Sequence, residues 1–294
     1  MSKPERDEHT GRMTTGHEWN GITELNTPVP KVVWFFLIST ILYAIGSWVV
    51  LPTWPTGDSY TKGTWEYDQR KALAEALRDV ESSRSDWQGD IALADFEDIE
   101  ANTALMEKVT RYGGRLFEDN CAMCHGRDAK GAHGFPNLAD GSWLWGGDYE
   151  SIMETLRVGI NSSHEESHIS EMMAFGRDQL LDRDQIKTLT AYIMSLSTST
   201  GPANLDPAST TEGQSLFEEN CSSCHGESGE GLTYVGAPNL TDGFWIYGGE
   251  ANDIAETLNK GRQGVMPSWE TKLTETDRKI LALYIKSLNP GSAE

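Results

Sequence analysis

Two copies of the motif Cys-x-x-Cys-His, a hundred residues apart, constrain this chain more than any other feature of its sequence. Each copy supplies two thiols and one imidazole, namely Cys121, Cys124 and His125 in the first and Cys221, Cys224 and His225 in the second. The chain has four cysteines, so the motifs use them all. Two thiols at this spacing add to the two vinyl groups of one haem, and the histidine that follows ligates the iron. The motifs therefore predict two covalently bound haem c groups.

Cys-x-x-Cys pairs also occur in zinc sites and in redox-active disulfides. A zinc ribbon brings its two pairs much closer in sequence than they are here, and neither alternative requires a histidine directly after the second cysteine. A thioredoxin-like site also requires a βαβ pattern, which this sequence lacks. The pattern therefore favours haem attachment.

One apolar run without a charge, residues 32–51, predicts a single transmembrane helix. Twenty helical residues rise about 30 Å, which matches the hydrocarbon core of a bilayer. Trp34, Trp48 and Trp54 lie near the ends of the run, where interfacial aromatic side chains are expected. Polar residues precede the run and no Ala-x-Ala cleavage site follows it, so an uncleaved anchor is favoured over a signal peptide or a buried core helix.

The haem motifs, rather than the charge balance, decide the orientation of this helix. Residues 1–31 carry four Lys/Arg and five Asp/Glu, so the positive-inside rule gives almost no indication of which side of the membrane they occupy. Haem is attached to such motifs on the outer side of the bacterial inner membrane. We therefore expect residues 1–31 in the cytoplasm and the chain from about residue 52 in the periplasm, with residues 52–105 forming a stalk or docking arm.

The second half of the chain repeats the first, which predicts two homologous domains, 106–198 and 209–290, joined by a linker at 199–208. Matched pieces include Leu116-Phe117 with Leu216-Phe217, Pro136-Asn137-Leu138 with Pro238-Asn239-Leu240, Trp143 with Trp245, and Tyr192-Ile193 with Tyr284-Ile285. The last stretch of each repeat has apolar residues at helical spacing, from near Asp178 in one copy and from Thr274 in the other. Thr274 and Asp277 resemble a capping box. The predicted fold class is all-α, one N-terminal transmembrane helix followed by two tandem class I cytochrome c domains.

A methionine in each repeat is the candidate for the second axial ligand of the iron. Met266 is predicted for the second haem, because it is the only methionine in its repeat and a thioether suits a haem that only carries electrons. Alignment with Met266 predicts Met172 for the first haem and makes Met173 the runner-up. An insertion before Met172 contains His164 and His168, which leaves bis-histidine ligation open as an alternative.

The acidic balance narrows the choice of partners. The net charge is −21, and 40 Asp/Glu stand against 20 Lys/Arg after the predicted anchor. Such a surface repels nucleic acid and attracts basic proteins. Adaptation to salt explains the same charge equally well.

The sequence resembles the dihaem subunit III of cbb3-type cytochrome c oxidases, the CcoP/FixP family. The resemblance includes the anchor, the two motifs, the stretch His17 to Pro30 before the anchor, and Tyr60 to Gly63 after it. It implies an electron carrier of a proton-pumping respiratory complex, with no catalytic residue of its own. Such a subunit accepts electrons from a donor cytochrome c and passes them through two haems to the monohaem and catalytic subunits, where oxygen is reduced.

Two other functions compete with this interpretation. A dihaem cytochrome c peroxidase opens one iron to peroxide, and the two histidines of the insertion favour that alternative. A membrane-anchored dihaem shuttle serving a dehydrogenase or reductase is the third hypothesis.

Overall fold

A computed structural model describes residues 3–197 and 207–288. The chain divides into two compact units, residues 1–83 and 84–294. The part of the predicted linker between residues 199 and 206 lies outside the described residues.

The first unit begins with a β-hairpin that the all-α prediction misses. Strand β1, Thr14–Trp19, pairs antiparallel with strand β2, Ile22–Leu25, and Trp19 lies opposite Ile22. Asn20 and Gly21 form the turn with φ values of 51° and 86°. Asn-Gly is the strongest short-range signal for such a two-residue turn, because both positions need positive φ. The dipeptide was therefore enough to predict the hairpin, and the fold is mostly helical rather than all-α.

Helix α1, Lys31–Val50, follows the hairpin and has no buried residue. Within the described part of the chain it is the one helix long and apolar enough, by length and composition, to cross a membrane. After the helix the chain turns back, and the backbone N–H groups of Thr64 and Trp65 donate to the carbonyls of Val49 and Val50 at 3.0 and 3.1 Å. These bonds satisfy carbonyl groups that a helix end leaves without an intrahelical partner.

A long helix, α2, runs from Gln69 to Leu93 across the boundary between the two units, and the remaining helices belong to the second unit. They are α3 (Phe96–Ala101), α4 (Thr103–Asn120), α5 (Ala122–His125), α6 (Tyr149–Val158), α7 (Arg183–Leu196), α8 (Pro207–Asn220), α9 (Ser222–His225), α10 (Ala251–Lys260) and α11 (Glu275–Ser287).

The repeat predicts the order of these helices correctly. A helix ends at each motif, another follows each double glycine, and a third closes each repeat. The capping box of Thr274 and Asp277 at the start of α11 is confirmed. Helix α7 begins later than the predicted start near Asp178, because Asp182 and Gln185 form its capping box.

The helices of the second unit pack across the repeats. Helix α4 of the first repeat packs against α11 of the second, while α7 of the first repeat packs against α8 and α10 of the second. We call the two resulting halves the first lobe, residues 103–160 with 266–288, and the second lobe, residues 172–196 with 207–262. This packing differs from the predicted tandem domains, since each lobe combines helices of both repeats. The second lobe holds the last helix of one repeat followed by the first helices of the other.

Each lobe has its own apolar core around one motif. In the first lobe the buried members are Phe117, Cys121, Ala129, Ile152, Leu156, Leu273, Leu281, Ala282 and Ile285. In the second lobe they are Phe175, Leu181, Ile186, Leu189, Ile193, Leu216, Phe217, Cys221, Leu240, Ile254 and Leu258. Burial of each large side chain contributes about 1.5–3 kcal/mol, which makes these clusters the main source of stability.

A third cluster joins part of the predicted docking arm to the first lobe. Ile91 of α2 and Ile99 of α3 are fully buried against Val109 of α4 and against Ile280 and Leu283 of α11. The arm therefore ends in a packed layer on α4 and α11.

Candidate haem sites

Each Cys-x-x-Cys-His motif lies at the point where a long helix gives way to a single helical turn. Cys121 and Cys221 end α4 and α8, and their N–H groups donate to the carbonyls of Phe117 and Phe217 at 2.8 Å. Both thiols are buried, at 8% and 6% exposed, whereas Cys124 is half-buried. Burial raises the pKa of Cys121 to about 11 and that of Cys221 to about 12, and the neighbouring thiol adds to the shift.

The histidine of each motif is held by one ring nitrogen. His125 Nδ1 donates to the carbonyl of Pro136 at 2.9 Å, and His225 Nδ1 donates to the carbonyl of Pro238 at the same distance. Burial lowers the pKa of both imidazoles, while the bond to the carbonyl opposes the shift. A neutral imidazole fixed at Nδ1 presents its lone pair at Nε2, which is how histidine ligates a metal.

The predicted methionine ligands lie beside the cores of the lobes. Met266 packs against the cluster that contains Cys121, and Met172 packs against the cluster that contains Cys221. Met173, the runner-up, is 54% exposed. Each of the two inward methionines thus lies beside the motif of the other repeat, not beside the motif of its own.

Buried tryptophans provide a test of whether a haem fits these lobes. Among the described residues, the indole N–H groups of Trp143, Trp145 and Trp245 are buried without a hydrogen-bond partner. A buried donor without a partner lowers the stability of the fold by about 1–3 kcal/mol, so we expect an acceptor beside each indole N–H group. Trp143 packs on the first core and Trp245 on the second. The carboxylates at the edge of a haem are acceptors of the required kind, so the donor set fits the group.

The histidines of the insertion have other contacts. His164 Nε2 lies 3.0 Å from a carboxylate oxygen of Glu270. The ring of His168 stacks on Trp145 at a centroid distance of 4.1 Å, and its Nε2 lies 3.3 Å from Thr155 Oγ1. Both imidazoles therefore have polar partners within the first lobe.

The sequence shows the prolines and tryptophans of these sites only as residues that recur in both repeats. Pro136, Pro238, Trp143 and Trp245 were matched between the repeats without a role. The available signal was the seven-residue spacing from proline to tryptophan, which is the same in both repeats. The carbonyl that orients each histidine and the indole that lacks an acceptor become visible only in three dimensions.

The helices around each motif, the fixed histidines and the inward methionines define a c-type cytochrome that binds haem c covalently. Three sequence families match successive parts of the chain. They are described as the N-terminal domain of cytochrome oxidase-cbb3, FixP, over residues 11–58, as cytochrome c over 111–197, and as cytochrome c oxidase, cbb3-type, subunit III over 208–285.

Relatives of known name match along nearly the whole chain. The cbb3-type cytochrome c oxidase subunit FixP of Bradyrhizobium diazoefficiens is 44% identical over 289 residues, which cover 98% of each chain. Subunit CcoP of Azospirillum brasilense is 39% identical over 99% of this chain and 100% of its own. Subunit CcoP of Cereibacter sphaeroides is 40% identical over 98% and 99%. The chain belongs to the FixP/CcoP family of cbb3-type cytochrome c oxidase subunits.

Proposed function

We propose that this chain carries two haem c groups and relays electrons within a cbb3-type cytochrome c oxidase. The observation that carries the proposal is the duplicated site: a histidine fixed at Nδ1 by a proline carbonyl, two thiols beside it, and a methionine against the same core. The attachment residues are Cys121, Cys124, Cys221 and Cys224, and the axial ligands are His125, His225, Met172 and Met266.

The protein residues hold and tune the groups. When bound, each haem supplies one-electron exchange between ferric and ferrous iron. A motif histidine and a methionine thioether would hold the iron, and this pair would favour the ferrous state relative to two histidines. The surrounding apolar core excludes water, which further sets the potential. With the iron held by these side chains, neither site would offer a place for oxygen or peroxide.

The proposed path runs from a donor cytochrome c through the two haems to the monohaem and catalytic subunits of the complex, where oxygen is reduced. The helix Lys31–Val50 anchors the chain in lipid of the inner membrane. We place the hairpin on the cytoplasmic side and both lobes in the periplasm. The peroxidase alternative loses its motivation, because both histidines of the insertion contact other side chains.

Purification from the native membrane in mild detergent tests the proposal directly. We expect a complex that contains a haem and copper oxidase core, and a mass for this chain that includes two covalent haems. The reduced c haems should remain low-spin and should not bind carbon monoxide. A lone anchored cytochrome, or a c haem that binds carbon monoxide, would contradict the proposal.

Replacement of Met266 with histidine gives a second test. Histidine stabilises ferric iron more than a thioether does, so the potential of one haem should fall while the other stays constant. A spectroelectrochemical titration measures both potentials. Met173→His is the matched control, because that side chain is 54% exposed and adjacent to the proposed ligand Met172. Met173→His should leave both potentials unchanged if Met172 is the ligand, and unchanged potentials in Met266→His would exclude Met266 as a ligand.

A further inference from the structure

We infer that Arg278 raises the reduction potential of the haem whose iron Met266 ligates and leaves the potential of the other haem unchanged. The guanidinium of Arg278 is buried in the first lobe, against the segment that joins Met266 to α11. The inference rests on the proposed function, because it requires a haem with Met266 as a ligand. It adds a residue that tunes one of two sites built from repeated sequence.

Arg278 occupies a position that the other repeat gives to an apolar side chain. Thr274 and Asp182 are the N-cap residues of α11 and α7. Counted from these caps, Arg278 corresponds to Ile186, since each is the fourth residue of its helix. Both side chains are buried, at 7% and 4% exposed, and Ile186 belongs to the core of the second lobe. The first lobe therefore has a buried cation where the second lobe has a hydrocarbon side chain.

Within the described part of the chain, no carboxylate forms an ion pair with Arg278. The neighbouring acid Asp277 has other partners, since its Oδ1 accepts from the hydroxyl of Tyr112 at 3.1 Å and its Oδ2 accepts from the hydroxyl of Thr274 at 2.7 Å. Arginine stays protonated in proteins, so Arg278 keeps its charge. The first lobe thus contains a positive charge that no carboxylate of the described residues neutralises by direct contact.

Backbone carbonyls hold the guanidinium in place. Nη1 of Arg278 donates to the carbonyl of Leu273 at 2.8 Å and to the carbonyl of Glu270 at 3.4 Å. Both carbonyls belong to the segment between Met266 and α11. The buried Nε of Arg278 has no hydrogen-bond partner among the described residues. Carbonyl dipoles orient the cation but do not cancel its net charge, so its field acts on the neighbouring core.

The position is unfavourable for an arginine in two respects. Removal of a charge from water destabilises the fold unless the charge is paired. The N-terminal end of a helix also carries a partial positive charge, which repels a cation. Arg278 lies in the first turn of α11 and meets both conditions. A residue that breaks local rules of stability in this way is expected where function compensates for the loss.

A fixed cation favours reduction of a nearby haem, because ferrous iron carries one positive charge less than ferric iron. The Coulomb energy of two charges varies inversely with their distance and with the effective dielectric constant, which is about 20 inside a protein and about 80 in water. Leu273, whose carbonyl accepts from Arg278, belongs to the core around Cys121. The field of Arg278 therefore reaches this site through protein and not through solvent.

Arg157 of α6 shows how the same lobe accommodates a more exposed cation. Its guanidinium lies 2.8, 2.6 and 3.4 Å from carboxylate oxygens of Glu154, Glu166 and Glu270, and its side chain is 29% exposed. Glu270 accepts from Arg157 with its carboxylate and from Arg278 with its backbone carbonyl. The charge of Arg157 is thus balanced by partners, and salt screens it. The two arginines therefore carry the same charge in different environments.

Redox titration of the full-length, haem-loaded chain with Arg278→Gln tests the inference. The haem ligated by Met266 is identified as the one whose potential falls in Met266→His. We expect the potential of that haem to fall in Arg278→Gln and the other potential to stay at its wild-type value. Arg278→Lys, which keeps the charge, should restore most of the lost potential. An unchanged potential of that haem, an equal fall at both haems, or an equal fall in Arg278→Lys would overturn the inference.

Arg157→Gln is the matched control, because it makes the same chemical change at the more exposed arginine. In about 1 M salt the Debye length is about 3 Å, so exposed charges are screened and buried charges are screened much less. At this salt concentration we expect the potential of the Met266 haem to differ from wild type in Arg278→Gln and not in Arg157→Gln. Equal responses of the two variants to salt would contradict a buried origin of the field.

Arg278→Met covers the case in which glutamine disturbs folding, because it removes the charge with an apolar side chain of similar length. It should lower the same potential. Circular dichroism and the iron–thioether charge-transfer bands show whether each variant keeps its fold and its ligands, and mass spectrometry counts the attached haems. An unmutated chain without covalent haem would refute the proposed function, whereas two attached haems whose potentials do not depend on Arg278 would refute only this inference.

Discussion

Helices α7 and α11 close the two repeats with the same inner contacts, yet their outer faces differ. Tyr192 and Tyr284 align the two helices, which places Thr188 opposite Ile280 and Ala191 opposite Leu283 in the alignment. Ile280 is fully buried and Leu283 is 1% exposed, beneath the cluster that α2 and α3 supply. Thr188 and Ala191 remain partly exposed.

This difference shows that the outer face of each helix has residues suited to its environment: apolar residues where α2 and α3 cover α11, and small or polar residues where α7 is partly exposed. Phe96 of α3 stacks on Tyr149 of α6 at a centroid distance of 4.2 Å, and Lys279 of α11 lies over the same Phe96 ring at 5.0 Å. An apolar face without such a cover would expose a patch that favours aggregation. The residues 84–101 thus act as a third layer for the first lobe, while small and polar residues suit the open face of α7.

The largest difference in stability between substitutions in α11 and α7 should come from Leu283→Ala. Removal of a fully buried leucine leaves a cavity and lowers the free energy of unfolding by about 2–5 kcal/mol. Thr188→Ala on the outer face of α7 should change it by no more than about 0.5 kcal/mol. Guanidinium unfolding of the haem-loaded protein, followed by circular dichroism, measures both. Similar losses would show that the two faces are equally packed.

Ile99→Ala should sharpen the comparison by weakening the cover itself. We expect a loss of about 2–4 kcal/mol, because Ile99 is fully buried in the same cluster as Leu283. The double variant with Leu283→Ala should lose less than the sum, since neighbours share one cavity. Ile254→Ala in the second lobe, combined with Leu283→Ala, should be additive. Additivity in the first pair would contradict a shared layer.

The capping boxes should give a smaller difference between the helices. Asp182 accepts from the N–H groups of Asp184 and Gln185, both at 2.9 Å, whereas Thr274 accepts from Asp277 alone at 3.1 Å. Asp182→Ala should therefore cost about 1 kcal/mol and Thr274→Ala somewhat less. Asp182→Asn, which keeps the acceptor, should restore most of the stability in thermal unfolding. A larger loss of stability in Thr274→Ala than in Asp182→Ala would contradict this prediction.

The smallest effect should come from Glu270, which lies four residues after Met266. Its contacts with His164 and then Arg157 lower its pKa below the ordinary value of about 4.3. A lowered native pKa adds stability at neutral pH, and this stability is lost as the pH falls through that native value. Glu270→Gln should lower Tm slightly at pH 7, with the difference vanishing in acid.

Glu165→Gln is the control for this experiment, because it removes the same charge from the residues between His164 and His168. It should change Tm at pH 7 by less than Glu270→Gln does. A difference between wild type and Glu270→Gln that grows towards acid pH would mean that the ion pairs do not stabilise the loop.

Much of the molecule follows directly from its sequence. The motifs place the cysteines and histidines, the repeat predicts the order of the helices, and Thr274 with Asp277 identifies a helix start that the structure confirms. Asn20-Gly21 also encodes the hairpin, although period and composition alone suggested an all-α chain. These features are local, because capping, turn geometry and helical period depend on residues within a few positions of each other.

The choice of partner for each helix was decided only by the tertiary structure. The two repeats have nearly the same helix faces. Gly113 lies against Tyr284 and Gly213 lies against Tyr192, although either glycine would accommodate either tyrosine. A sequence pattern therefore cannot distinguish packing within a repeat from packing between repeats. The ten-residue connection from α7 to α8 and the hydrogen bonds from Asn161 to the carbonyls of Ser170 and Gly264 favour packing between the repeats. Because the two repeats have equivalent surfaces, the lengths of the connections between helices decide which helices pack together. That effect depends on the fold of the whole chain and not on any local pattern.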